Sequence, residues 1–383
     1  LTAEAVLIAA FSARALAASA RRAGFLPLAV DCFGDLDTSE HAVASRCLPA
    51  RVQTGFIAKS LFAALEALVD EAPRPPIGLV LGSGFECNPR LVSRLGERYR
   101  LIGNSPAVIE RTKSPDTFFS TLDRLGIPHP ETRLAPPPET GGWLMKRIGG
   151  SGGLHIVDCP AKPRPDPRRY FQRRADGAAI SVMGIISKQG SAFAMSRQWT
   201  SPLPKRPYRY GGAAGSLELE ADLEARLIDT SLALSRELGL VGLVSFDFLV
   251  ADGQATLLEV NPRPGATLDV FDDASGSLFR AHVEASLGGD AASLLKSGWR
   301  PPAARAAAFL YADRGPIKVP VIDWPPWTAD RPRPGSLISQ HQPAATVVAE
   351  DTELALAERT CRNRLGLLED MLYEGENAKG APQ

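Results

Sequence analysis

The 383-residue sequence predicts a multidomain protein of mixed α/β and α+β class. A chain of this length exceeds what one hydrophobic core normally serves, so two to four domains are expected. Residues 1–105 alternate short apolar runs with Ala/Leu/Arg segments of helical period, the rhythm of a doubly wound parallel sheet with helices on both faces. Beyond them, β-like runs punctuated by Asp-Gly and Gln-Gly turns indicate antiparallel pairing.

"AVLIAAF" has no basic region before it and is soon followed by Arg14, Arg21 and Arg22, so it reads as a buried strand rather than a secretory leader. A helix over 13–23, the strand "FLPLAVDC", a helix within "GFIAKSLFAALEALVDEA" and the strand "PIGLVLGSG" follow. Gly82 and Gly84 come after that strand, but no GxGxxG opens the first helix, so the dinucleotide signal is weak. Ser114-Pro115-Asp116 starts a helix over 116–125 that Gly126 ends, and Pro128, Pro130 and 136–138 make a stiff connector. "WLMKRIGGSGGLHIVDC" is two β segments around a glycine-rich loop, followed by the linker "PAKPRPDPRR". "YFQRRADGAAISVMGIISKQGSAFAMSRQW" reads as a hairpin or meander turning at Asp176-Gly177 and Gln189-Gly190. "LEARLIDTSLALSRELGL" is an amphipathic helix ending at Gly239 or Gly242. After residue 300 come "RAAAFLYAD", "PIKVPVIDWP", "GSLISQ" and "ATVVAED", a small β-rich piece, then a helix over 353–373 and a polar tail expected to be disordered. The expected domains are 1–105, 106–200, 201–299 and 300–383.

Forty-three Lys and Arg balance 43 Asp and Glu, which removes the broad basic footprint of a nucleic-acid binder but not a local basic pocket. Cys32, Cys47, Cys87, Cys159 and Cys361 form no CxxC pair, as expected of a reducing compartment without a zinc site. No stretch is long and apolar enough to span a bilayer, so a cytoplasmic protein is expected.

"FDFLVADGQATLLEVNPRPGAT" carries the chemistry. Residues two apart on a strand share a face, so Glu259, Asn261 and Arg263 point one way, and the "ADGQ" turn brings Asp247 across to them. Two carboxylates and an amide oxygen suit Mg²⁺ or Mn²⁺, whose shell phosphate oxygens and water would complete. Arg263 would then face the terminal phosphate; the alternative is a solvated face with Arg263 bridging Asp247 and Glu259. In "MKRIGGSGGLHI", Gly149, Gly150, Ser151, Gly152 and Gly153 let backbone N–H groups approach an anion, with Lys146 reaching a phosphate. The pattern is not a Walker loop, and a mobile surface loop is the alternative.

Weaker candidates have structural alternatives beside them. Arg209 and Lys205 of "PLPKRPYRYGGAAG" face a carboxylate or belong to a surface loop. His155 reads as a lid-surface residue. Asp269, Asp272 and Asp273 hold a substrate amine or start a helix. Trp324 and Trp327 line a pocket or pack a small domain.

The order of these elements resembles the ATP-grasp superfamily, specifically carboxylate–amine ligases and carboligases related to biotin carboxylase. "SFDFLVADGQATLLEVNPRPGAT" is similar to the family's acidic strand, turn and E-x-N-x-R segment, and "WLMKRIGGSGGLHI" to its lysine and flexible glycine lid. "YFQRRADGAAISV" resembles the hinge strand at adenine, where Gln172 and Arg173 lie near positions whose backbone reads the base. The resemblance covers about residues 5–290. It implies an ATP-grasp fold of lid and antiparallel catalytic sheet, ATP and Mg²⁺ (or Mn²⁺) as cofactors, and Asp247, Glu259 and Asn261 as metal ligands. It makes Arg263 a stabiliser of the phosphate or acyl phosphate and Lys146 an α/β-phosphate ligand. Two departures stand out. Pro115 occupies the place of the family's second lysine, with Lys113 two residues earlier as its substitute, and "FSAR" replaces the usual glycine turn after the first strand.

The implied activity is ATP-dependent joining of a carboxylate, activated as an acyl phosphate, to an amine. Related ligases modify cofactors, including addition of glutamate-like tails to one-carbon carriers. The alternatives are a carboxylase, a phosphotransferase, or a nucleotide-binding regulatory module. The expected partners are small-molecule carboxylate and amine substrates, with no nucleic acid or membrane and a homodimer left open.

Overall fold

The alternation of side chains in the first strand, Ala5–Ala9, decides the N-terminal architecture. Val6 and Ile8 enter one core with Leu16 and Ala17 of helix Arg14–Arg22, whereas Ala5, Leu7 and Ala9 enter another with Leu61, Leu65 and Leu68 of helix Ala58–Glu71. A strand buried on both faces belongs in a parallel sheet flanked by helices. In the computed structural model, which describes residues 3–51, 53–289, 291 and 303–377, five parallel strands lie in the order Ala44–Cys47, Leu26–Asp31, Ala5–Ala9, Leu79–Leu81 and Leu101–Ile102.

Two consecutive helices lead out of this sheet. Pro106–Lys113, which the sequence reading did not anticipate, starts at Ser105, whose hydroxyl accepts from Val108 N. Pro115–Leu125 begins where the Ser-Pro-Asp signal places it and ends at Gly126, whose φ of 66° is the left-handed conformation glycine tolerates. Ser114 closes the first helix and opens the second.

Two antiparallel sheets follow. The smaller has the order Val157–Asp158, Trp143–Arg147, Arg169–Arg173 and Thr132–Arg133. The larger has eight strands: Gln254–Asn261, Gly242–Ala251, Ala178–Ile186, Ser191–Thr200, Tyr210–Gly215, Ala304–Tyr311, Pro343–Asp351 and Thr328–Ala329. Helix Ala221–Leu238 covers one face of the large sheet with Leu227, Leu234 and Leu238, each contributing about 1.5–3 kcal/mol by full burial. Met183, Ile185 and Leu243 on the opposite face join the core that contains Val6 and Ile8. The N-terminal sheet and the large sheet therefore share packing.

Three expectations about organisation change. Asp176-Gly177 is not a hairpin turn: the strands on either side belong to different sheets, so the segment 106–200 expected to form one lid unit divides near residue 174. The predicted hairpin at Gln189-Gly190 does form. The strands after residue 300 are not a separate β domain, because Ala304–Tyr311 pairs with Tyr210–Gly215 and extends the large sheet. The final helix, Leu354–Asn377, packs against that extension and takes in residues 374–377, the start of the tail expected to be disordered; the rest of that tail, from 378, and the 299/300 boundary lie outside the described residues.

Two buried side chains fix the N-terminal sheet to the acidic hairpin. Asn104 donates to the carbonyls of Val241 and Pro262 and accepts from Val241 N. His282 accepts from Leu243 N through Nδ1, which leaves its Nε2–H to donate to Ile102 O at 3.1 Å. Burial pushes this imidazole down to about 4, so it is a neutral structural link.

Candidate active site

The turn joining Gly242–Ala251 to Gln254–Asn261 places Asp252 and Gly253 at φ of 50° and 71°, the geometry of a tight two-residue hairpin. The register sets Asp247 directly opposite Glu259, with a bulge just beyond, between Asp247 and Phe248. The two carboxylates therefore share a face of the ribbon, as the two-residue period predicts. Ser181 on the neighbouring strand donates to Asp247 Oδ1 at 2.6 Å, and Asn261 Nδ2 donates to Asp247 Oδ2 at 2.9 Å. Those bonds turn Asn261 Oδ1 toward Lys113, whose ammonium donates to it at 3.0 Å and lies 3.6 Å from Glu259 Oε2.

Charge at this cluster is uneven. Burial raises the Asp247 carboxyl to about 6, with the Glu259 charge adding to the shift and the Ser181 hydroxyl opposing it. Burial opposes ionisation of Glu259 too, but Lys113 and Lys146 outweigh it and hold that carboxyl below its usual range. Arg263 does not bridge to Asp247 or Glu259; its Nε donates at 2.5 Å to Glu86, a buried residue of the N-terminal domain. Glu86 also accepts from Gly84 N and Phe85 N, at 3.0 and 3.1 Å.

The lid supplies the other wall. Lys146 is buried mid-strand and donates to Gln172 Oε1 at 2.5 Å, while Gln172 Nε2 donates to Thr132 at 3.2 Å. The glycine loop is packed rather than free. A Cβ at Gly149 would lie 2.5 Å from Glu86 O, and one at Gly153 would collide with the Tyr208 carbonyl. Glycine is required at both, since φ is 65° and 72°. Tyr210 N also bonds Gly152 O at 3.0 Å, so the loop bridges the N-terminal domain and the large sheet. The cleft beneath is lined by Lys113, Phe119, Gly149, Gly150, His155 and Glu259, among others.

His155 is inside this cleft, not on the lid surface. Its ring lies against Gly150, and Nδ1 is buried without a hydrogen-bond partner. Burial lowers it to about 4; the Glu259 charge opposes that shift and Lys146 adds to it. A buried unpaired nitrogen costs about 1–3 kcal/mol, which a ligand in the cleft would relieve.

The remaining expected site residues separate. Ser151 and Gly152 stay in the loop beside the cleft. Arg173 lies at the end of the lid strand, stacked 5.7 Å from the Trp143 ring, with its backbone N–H bonded to Glu131 O. Arg209 is a correction. It is fully buried away from the acidic cluster, its guanidinium forked onto Asp313 at 2.9 and 2.6 Å and stacked 3.8 Å from the Tyr311 ring. A side chain so committed ties the loop to the C-terminal strands and is not available for catalysis. Asp269 and Asp272 pair with Arg14 and Arg22, and Asp273 accepts from Ser275 N and Ser277 N at the start of helix Ser277–Leu287, so the acidic group is structural. Trp324 and Trp327 pack against the C-terminal core.

Residues 117–267, which span the lid, the glycine loop and the whole acidic hairpin, match the sequence model of the ATP-grasp domain. This segment is an ATP-grasp domain. It is 24% identical over 226 residues to the carbamoyl phosphate synthase large chain of Myxococcus xanthus (strain DK1622). That match covers 52% of this chain and 21% of the relative, so the chain spans about a fifth of the relative's length. The ATP-grasp fold extends through solved structures of low identity. Biotin carboxylase of Campylobacter jejuni superposes with a TM-score of 0.67 at 14% identity, over 92% of this chain and 89% of that one. L-amino acid ligase of Bacillus licheniformis gives 0.68 at 12% over 95% and 97%. N5-carboxyaminoimidazole ribonucleotide synthetase of Thermotoga maritima gives 0.65 at 13% over 95% and 98%.

The donor set of this ATP-grasp site fits a hard divalent cation. Asn261 Oδ1 and Glu259 Oε2 already converge on one positive charge, the Lys113 ammonium, and Asp247 is bonded to Asn261 from the facing strand. The sequence reading missed Glu86, Ser181 and Asn104, each a lone polar residue with no motif around it.

Proposed function

We propose that the protein is an ADP-forming ligase that activates a substrate carboxylate with ATP and passes the acyl group to an amine. The observation that carries this reading is the convergence of Glu259 and Asn261 oxygens on a single cation beside Asp247, beneath a glycine loop. Asp247, Glu259 and Asn261 would hold Mg²⁺ or Mn²⁺. When bound, such an ion neutralises triphosphate charge and polarises the γ-phosphoryl group.

The chain's own residues do the rest. Lys146, held by Gln172, presents its ammonium to the α- and β-phosphates, and Gly149–Gly153 offers backbone N–H groups to them. His155 offers Nδ1 to a phosphate oxygen. The lid end near Gln172 and Arg173 receives the adenine. Arg263 has Nε on Glu86 and Nη1 on the Pro264 carbonyl, which leaves Nη2 for the charge of an acyl phosphate. The substrate carboxylate attacks the γ-phosphorus and ADP leaves; the amine then attacks the carbonyl carbon and phosphate leaves. The packed lid keeps water from the mixed anhydride.

The test is ADP and phosphate release with paired acids and amines, beginning with glutamate and carboxylated one-carbon carriers. A ligase releases both only when acid and amine are present. Phosphate retained on product indicates a phosphotransferase, bicarbonate dependence a carboxylase, and nucleotide binding without release a regulatory module.

A further inference from the structure

Three cations, Lys113, Lys146 and Arg263, surround the acidic hairpin, but they are tied differently. Lys146 is held by Gln172 and Arg263 by Glu86, both outside the expected metal ligands. Lys113 alone bonds the ligand set itself, at 3.0 Å to Asn261 Oδ1 and 3.6 Å to Glu259 Oε2, with its side chain 8% exposed. It is the last residue of helix Pro106–Lys113, and Ser114 after it is the joint with the next helix. Its charge also acts on Glu86 and Asp247, which places it at the electrostatic centre of the cleft.

A divalent ion sits about 2.0–2.1 Å from its oxygen ligands, so an ion on these same oxygens would stand almost in contact with the ammonium and repel it strongly. Both cannot hold the pair at once. Lysine is a compact charge on a flexible stem, and phosphate oxygens are the partners that would receive it.

We propose that Lys113 is an internal counter-ion that holds the Glu259–Asn261 oxygens until a divalent ion arriving with the nucleotide displaces it onto the phosphates. Metal entry is thereby made dependent on nucleotide. The inference rests on the ATP-and-metal reading of the site. It also gives a use to a lysine that stands two residues before the family's position.

Mn²⁺ titration followed by electron paramagnetic resonance, with and without a non-hydrolysable ATP analogue, tests this on the wild type, K113M and K113R. The wild type should bind Mn²⁺ weakly alone and much more tightly with analogue. K113M, which keeps length and loses charge, should bind Mn²⁺ without nucleotide at least about tenfold more tightly than wild type, and the analogue more weakly. K113R should behave as wild type toward Mn²⁺ alone, and K113M/E259Q should lose the gain. Equal Mn²⁺ affinity of wild type and K113M without nucleotide, with tight binding in its presence, overturns the role of Lys113 and leaves the site intact. Failure of the folded wild type to bind Mn²⁺ even with analogue overturns the site and the inference together.

Discussion

At the Arg14 junction one guanidinium is closed in by Asp269 and Asp330, with Asp37 3.9 Å away, whereas at the Lys113 cleft one ammonium faces Glu259 and Asn261. Both clusters gather charged residues from distant parts of the chain. At the junction nearly every polar atom is used: Asp330 also accepts from Ser12 and Thr346, and Asp37 from Asp330 N and Arg331 N. In the cleft the Glu259 side chain is 39% exposed and His155 Nδ1 has no partner. Completeness of pairing, not density of charge, separates the junction from the cleft proposed to take a ligand. The junction also explains "FSAR" after the first strand: Ser12 and Arg14 use that loop to bind the N-terminal domain to Asp269 of helix Leu268–Phe271 and to Asp330, just after strand Thr328–Ala329.

The contrast breaks first at Glu259. E259Q should lower metal-dependent turnover by at least about 10³-fold, in keeping with loss of a charge-neutralising group, while the melting temperature stays near wild type. Normal turnover by the folded variant would remove Glu259 from the metal site. R14M is the mirror case. It leaves buried carboxylates uncompensated and should cost about 3–5 kcal/mol of stability in denaturant unfolding, without changing nucleotide affinity of the folded fraction. A stable R14M with impaired nucleotide binding would invert the comparison.

K146A should weaken ATP binding in calorimetry by roughly 10–100-fold through loss of a charge-assisted contact. Unchanged affinity would remove Lys146 from the phosphates.

The smallest effect tests a loose atom of the junction. Asp35 is buried with Oδ2 unpaired, and burial followed by the charges of Asp330, Asp31 and Asp37 raises it to about 8, Arg14 opposing. The folded state then keeps a proton that the unfolded chain gives up near pH 4, so this group makes stability fall as pH rises from about 4 to 8. D35N should flatten that slope in unfolding curves measured between those values. An unchanged slope would mean that Asp35 folds ionised.

Local periodicity made much of this legible. The two-residue alternation put Asp247, Glu259 and Asn261 on one face, and the glycine-rich loop marked the lid, because both are short-range properties of the backbone. What escaped was set by long-range packing. Glu86 meets Arg263 across 177 positions, and nothing near either residue announces the pair. Arg209 looked like a loop cation, yet its partner Asp313 lies 104 residues away, just past strand Ala304–Tyr311, in a segment assigned to another domain. Asp176-Gly177 has turn chemistry but joins two sheets, since sequence shows where a chain bends and not which strand it then pairs with.

The central claim is that the paired oxygens of the acidic ribbon hold a divalent ion that in turn grips a triphosphate. A crystal grown with Mn²⁺ and a non-hydrolysable ATP analogue, measured at the manganese absorption edge, tests it directly. The account predicts an anomalous peak bonded to Glu259 and Asp247 or Asn261 oxygens and to the β- and γ-phosphates, with the Lys113 ammonium moved off Glu259. Nucleotide bound beneath the lid with the manganese coordinated elsewhere would contradict it.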